Sequence, residues 1–208
     1  MSLLTALNWR YAVKEFAQKS LSEQNIQHLI EAVRLAPAAY GIQPYKLIVI
    51  SSEKIKQACL VHSYGQDKVM NCSHLLVLAS KTAITDKDIT QFITALAVTL
   101  NTKSKSLAGY QHNIQSDLLN RSESERSSWA TEQTYIALGT LLTSAAILNI
   151  DCCPITGFDA QGINHVLDLK TQNLCATVLI PIGYRALTDK AASKPKHRLK
   201  IDELVIAL

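Results

Sequence analysis

The feature that most constrains this chain is residues 129–159, WATEQTYIALGTLLTSAAILNIDCCPITGFD, where its most apolar helical segment runs into its most irregular loop. Between residues 135 and 150, Ile, Leu and Ala fall on nearly every helical face. A helix apolar all round belongs inside a core or a subunit interface. The run is shorter than the roughly 20 residues of a membrane span, and Thr140, Thr143, Ser144 and Asn149 interrupt it. Gly139 costs about 1 kcal/mol against Ala in mid-helix, which predicts that another backbone passes close by. From Asp151 the pattern breaks. Pro154 removes an amide donor and Gly157 permits unusual dihedrals, so the loop is able to lay backbone N–H groups against a flat ligand. The plainer reading is a helix-to-helix turn in which Asp159 caps the next helix.

The rest of the chain supplies helices and a few short strands. A short helix is expected to end near Asn8, followed by an irregular strand through Tyr11, Val13 and Phe16. Ser22 is a good N-cap, and Ile26, Leu29, Ile30 and Val33 recur at helical spacing, which predicts a helix over 22–35 ended by Pro37. A loop of small residues, 36–45, lies between Pro37 and Pro44. Strands are predicted at 46–50 (KLIVI), 75–79 (LLVLA) and 176–182 (ATVLIPI), and helices at 53–61, 86–101 and 160–167. Residues 62–68 read as a surface loop or frayed helix. The Ser-rich stretch 103–128 is either a helical excursion covering a cleft or a plain exposed connection. The last six residues, ELVIAL, have strand character. The 208 residues suit one domain, 1–208, of α+β class with helices around a modest sheet.

Several function classes are excluded or disfavoured. A net charge of +4, scattered over the chain, is too mild for a nucleic-acid partner and suits an anionic small molecule. The start, MSLLTALNWRY, lacks a cationic region followed by a long apolar run, so a cytoplasmic protein without membrane attachment is expected. Five cysteines in no C-x-x-C arrangement point to reduced thiols, and the six histidines show no metal spacing. No G-x-G-x-x-G, P-loop or G-x-S-x-G elbow is present.

Four motifs in order carry a resemblance. Residues 10–16, RYAVKEF, resemble the opening of the FMN-dependent nitroreductase family of oxygen-insensitive bacterial type. Residues 36–45, APAAYGIQPY, resemble that family's A-P-S-S-x-x-x-Q-P-W/Y loop, and 154–159, PITGFD, its P-[I/M]-x-G-F-D loop. Residues 183–185, GYR, with 196–198, KHR, resemble its close. Each motif is weak alone, and Lys196, His197 and Arg198 by themselves read as a solvated basic tail. Together they span almost the whole chain.

The resemblance implies a nitroreductase-like fold, with a central mixed, mostly antiparallel sheet surrounded by helices, in an intertwined obligate homodimer. It implies FMN with its phosphate on Arg10, Lys196 and Arg198, a role for which charge-assisted donors are suited. Lys14 and Lys68 map beneath the flavin pyrimidine, where cations favour negative charge on reduction. Tyr11 and Ala12 belong to the opening motif, and Pro154, Ile155, Thr156 and Gly157 map beside N5 and O4. Pro37, Ala38, Ala39, Gly41 and Gln43 map against the flavin held mainly by the other subunit. Ala12, Ala38 and Ala39 stand where relatives carry Ser, Thr156 where some carry an acid, and Gly41 and Gly65 where Asn is familiar, with Gln66 as a substitute ligand. Tyr40 and Tyr110 are candidates for the acceptor pocket. No side chain is required as catalytic acid or base. The implied activity is ping-pong hydride transfer from NADH or NADPH to a nitroaromatic, quinone or enone, with a non-enzymatic flavin carrier or sensor as the alternative. A thiol enzyme using Cys152 and Cys153 ranks third. The helix over 135–150, including Leu141 and Leu142, is expected to form the dimer contact, with the C-terminal tail embracing the partner and extending its sheet, as the resemblance implies.

Overall fold

Three apolar runs build the sheet. In the computed structural model, which describes residues 1–208, strands β1 (Tyr45–Ile50), β2 (His74–Lys81), β3 (Asp151–Cys152) and β4 (Leu174–Gly183) pair in the order β1-β2-β4-β3. All three pairings are antiparallel, and the one parallel contact is the bridge between Ala12 and Cys152. Both central strands are buried along nearly their whole length, which explains their continuous rather than alternating apolar sequences. Alternate residues serve two cores. Leu76, Leu78, Val178 and Ile180 pack with Leu29, Val33 and Leu141, whereas Leu75, Val77, Ala79 and Leu179 pack with Cys59, Cys153 and Ile163.

The helices are α1 (Leu3–Trp9), α2 (Glu23–Arg34), α3 (Glu53–Val61), α4 (Lys68–Asn71), α5 (Asp86–Thr99), α6 (Ala108–Leu118), α7 (Glu123–Ile147), α8 (Ala160–Val166) and α9 (Ile201–Leu204). Ser22 caps α2 as expected, accepting from the Asn25 amide at 3.3 Å. Asp159 caps α8, accepting from the Gln161 amide at 3.1 Å. No helix is long and apolar enough to cross a membrane.

Two expectations need correction, and one alternative is decided. The helix expected over 135–150 is the second half of α7, a 25-residue helix opened by a capping box between Ser122 and Glu125. Its own chain encloses one face only: Ala137, Leu138, Leu141 and Ala145 enter the core, while Tyr135, Ile136, Gly139 and Ile147 are exposed. Beyond its own helix backbone, nothing lies within 4 Å of the place a Gly139 side chain would occupy, so no other backbone segment of this chain passes there. Residues 103–128 are not a plain connection, because Ile114 and Leu118 are fully buried against Ile84, Ile89, Ile93 and Trp129 in a third core. Residues 9–16 form no strand, only isolated bridges from Ala12 to Cys152 and from Phe16 to Arg185. Their buried side chains, Val13 and Phe16, are three apart and do not share one face of a strand. The C-terminal ELVIAL pairs with no strand of its own chain and divides between the single turn of α9 and an exposed extended end, its expected pairing being with the partner.

Candidate functional site

The stretch carrying Arg10 and Lys14 is fixed by two carboxylates. Asp151, at the sheet edge and 3% exposed, accepts from the Arg185 Nε at 2.9 Å, its Nη2 at 2.6 Å and its backbone amide at 2.8 Å. The same guanidinium lies 4.0 Å from the Trp9 ring centre and 4.5 Å from that of Tyr11. Asp189, also buried, accepts from the Lys14 amide at 2.9 Å, the Tyr11 hydroxyl at 3.1 Å and the Ala191 amide at 2.9 Å. Burial works against the Asp189 charge, but these donors more than offset it and hold its pKa below the ordinary carboxylate value. Desolvation, and then the Asp189 contact, push the Tyr11 hydroxyl up to about 12, so it stays a donor.

The charged side-chain groups of Arg10, Lys14, Lys68, Lys196 and Arg198 have no carboxylate within 4.0 Å, although the Arg185 guanidinium beside them is paired. Lys196 donates to the Leu7 carbonyl at 2.7 Å at the end of α1. Desolvation first, and then the neighbouring Arg10, Arg198 and Arg185 charges, lower its pKa. Arg198 donates to the His197 carbonyl at 2.6 Å. Lys14 and Lys68 line one open cleft of about 570 Å³ with Gln18, Asp67, Asn71 and Thr188. The charges of Lys68, Lys14 and Arg10 all reach the Cys153 thiol, which burial nonetheless drives upward.

The loop after β3 is partly structural. Ile155 is buried and exchanges backbone hydrogen bonds with Leu179 at 2.8 and 3.0 Å, so its amide is committed to the sheet. Thr156 and Gly157 are exposed, and their N–H groups donate to no protein acceptor. The Gly157 carbonyl accepts from Gln66 Nε2 at 3.0 Å, and Gln66 Oε1 accepts from Lys68 Nζ at 2.7 Å. Pro154 follows directly on Cys153, beside this cationic group.

The proline-bracketed loop lies elsewhere. It leads into Tyr45, which pairs with Ser80, whereas Asp151 and Gly183 lie beside the His74 end of the sheet. Six residues of β2 separate these ends, about 20 Å. Pro37, Ala38, Ala39 and Gly41 are therefore not gathered with the cations within one chain. The loop is held rigidly: the Ala39 amide donates to Gln133 Oε1 at 2.9 Å and the Tyr40 hydroxyl to Asp117 at 2.7 Å. The Tyr110 hydroxyl donates to the Tyr40 carbonyl at 2.8 Å, and the two rings meet edge-on at 6.4 Å. Tyr40 and Gly41 have φ of 61° and 78°, a left-handed pair that only Gly adopts without strain. Gln43 spends its amide nitrogen on the Arg34 and Ala36 carbonyls and the Tyr45 hydroxyl, so it closes the end of α2.

Sequence reasoning missed Asp151, Asp189 and Gln133, and gave Arg185 no role. No local signal identifies them, since Asp189 and Lys14 are 175 positions apart. The thiol reading fails on chemistry: Cys152 and Cys153 are buried, and burial pushes Cys152 up to about 12, leaving no thiolate nucleophile near neutral pH. No group of His, Cys, Asp and Glu is arranged to hold a metal ion.

Comparison with known proteins identifies the family. A family model described as the nitroreductase family matches residues 7–184. The chain belongs to the nitroreductase family. A relative from Staphylococcus saprophyticus, provisionally named an NAD(P)H nitroreductase, is 32% identical over 216 residues, covering 98% of this chain and 95% of its own. Among solved structures, the provisionally named nitroreductase ydfN of Bacillus subtilis superposes with a TM-score of 0.88 at 20% identity, covering 99% of this chain and 98% of its own. A nitroreductase-like protein of Exiguobacterium sibiricum, solved in complex with FMN, gives 0.85 at 19% identity, covering 100% and 98%. These likenesses bear out the nitroreductase fold; the chain is an oxidoreductase by family.

Proposed function

We propose that this nitroreductase-family chain binds FMN and reduces nitroaromatic, quinone or enone acceptors at the expense of NADH or NADPH. The observation that carries this reading is the set of five cations, Arg10, Lys14, Lys68, Lys196 and Arg198, all without a carboxylate partner. Such a set suits a phosphate at one end and, at the other, a ring that gains negative charge on reduction. Bound there, FMN would supply the hydride-carrying ring for two alternating half-reactions. Arg10, Lys196 and Arg198 would hold the phosphate, and Lys14 and Lys68 would supply positive potential to the pyrimidine. The free Thr156 and Gly157 amides would donate to the ring edge, while Tyr11 and Ala12 shape the backbone around it. No proton need be moved by a side chain.

The two-ended distribution of the predicted ligands favours a homodimer in which the Pro37–Ala38–Ala39–Gly41 loop and the Tyr40–Tyr110 pair of one subunit face the cations of the other. Exposed Leu3, Leu4 and Leu7 of α1, exposed Ile136 and Ile147 of α7, and the exposed tail from Leu199 to Leu208 offer apolar surface for such a contact. The purified protein should show flavin absorbance and oxidise NAD(P)H when menadione or nitrofurazone is added. Arg198→Ala should weaken FMN binding at least tenfold, about 1.4 kcal/mol. A colourless protein that titration with FMN leaves unchanged overturns the reading, and a yellow protein without turnover favours the carrier or sensor.

A further inference from the structure

We propose that Gln66 is a positioning residue that joins the two arms of the flavin site, setting both the posture of the 154–158 loop and the placement of the Lys68 charge. The inference rests on the FMN reading above. One amide side chain carries both contacts, with its nitrogen 3.0 Å from the Gly157 carbonyl and its oxygen 2.7 Å from Lys68 Nζ.

The two segments are stapled at a second point. The Asp159 amide donates to the His62 carbonyl at 2.8 Å, and His62 Nδ1 lies 3.1 Å from Asp159 Oδ2. The His62 ring fills the space in which a side chain at Gly162 would stand, 1.9 Å from that Cβ position. The His62 staple fixes the outer ends of the two segments and leaves the Thr156–Gly157 turn free to pivot. Gln66 removes that freedom by engaging the one carbonyl whose orientation fixes the Gly157–Phe158 peptide plane.

An amide is the side chain suited to this double task. Its oxygen accepts from the ammonium without neutralising it, and its nitrogen donates to a carbonyl at the same time. A carboxylate of the same length would pair with Lys68, cancel its field and repel the Gly157 carbonyl. A hydrocarbon would leave both partners loose. Gln66 therefore keeps Lys68 a full cation held at a fixed place, with no carboxylate drawn in to hold it.

The test compares Gln66→Leu, Lys68→Met and the double variant with wild type in two measurements. The first is the backbone N–H order parameter of Gly157 and Phe158 in the flavin-free protein, which needs no cofactor. Wild type should show the value of a rigid backbone, about 0.85, and Gln66→Leu one below about 0.6. The second is the flavin midpoint potential of the loaded protein. Gln66→Leu adds no charge, so it should lower the potential only by releasing the Lys68 ammonium, and should leave it unchanged when Lys68 is already Met. An unchanged order parameter in Gln66→Leu overturns the loop-positioning role. A loosened loop with an unchanged potential overturns the coupling to Lys68, as does an equal shift in the Lys68→Met background. A wild-type protein that takes up no flavin refutes the FMN reading instead, and the order parameter still decides whether Gln66 holds the loop.

Discussion

Replacing Arg185 with Ala should be among the most damaging single changes available outside the apolar cores. The substitution leaves Asp151, 3% exposed, with one donor, the backbone amide of residue 185 itself at 2.8 Å, in place of that amide and a bidentate guanidinium. Breaking a buried pair by removing one partner costs about 3–5 kcal/mol, because the stranded charge is neither solvated nor compensated. Loss of the contacts with Trp9 and Tyr11 adds about 0.5–1 kcal/mol each at a partly exposed site. For a domain of this size each kcal/mol lowers Tm by about 2–4 °C, so a fall on the order of 10 °C is expected at fixed protein concentration. The control is Asp151→Asn combined with Arg185→Ala, which removes the stranded charge and should recover part of the loss. Differential scanning fluorimetry on the three proteins measures it. A single variant that melts within about 2 °C of wild type would show that the carboxylate is hydrated or otherwise satisfied, and would refute the reasoning.

Three further outcomes are expected. Gly162→Ala should destabilise by about 1–3 kcal/mol, because the new methyl collides with the His62 ring. In a His62→Ala background the same change should be neutral or stabilising by up to about 1 kcal/mol, since only helix propensity remains; equal costs in the two backgrounds would place the strain elsewhere. The depressed pKa of Asp189 gives stability that is present above the ordinary carboxylate range and is lost as pH falls through its lower folded value. Urea midpoints of wild type should therefore converge on those of Asp189→Asn in acid, and a constant gap down to about pH 3 would contradict the assignment. Ile136→Glu, on the exposed face of α7, should yield monomers by sedimentation and lose flavin together with the dimer. Leu141 is the wrong probe for that question, since it is fully buried in its own chain's core and Leu142 packs against the same cluster. A flavin-loaded wild-type monomer would remove the shared-site model.

What the sequence determined by itself was local. Apolar runs marked β1, β2 and β4 to within two residues at either end, Ser22 and Asp159 announced the helices they cap, and motif order pointed to the nitroreductase family. These features depend on residues a few positions apart, where backbone geometry alone fixes who meets whom. The same reasoning overreached wherever a partner was distant. It read residues 9–16 as a strand, because composition supplies β propensity but not a neighbour to pair with. It placed Leu141 at an interface, because an all-apolar helix does not declare which face its own core takes. It passed over Asp151 and Asp189, ordinary acids in sequence, which folding buries against Arg185 and the Lys14 amide. Only the tertiary structure decided which cations stay unpaired, and that the Tyr40 loop and the cationic cluster stand at opposite ends of one sheet. Both follow from strand register, which sets distances between residues that the chain itself keeps far apart.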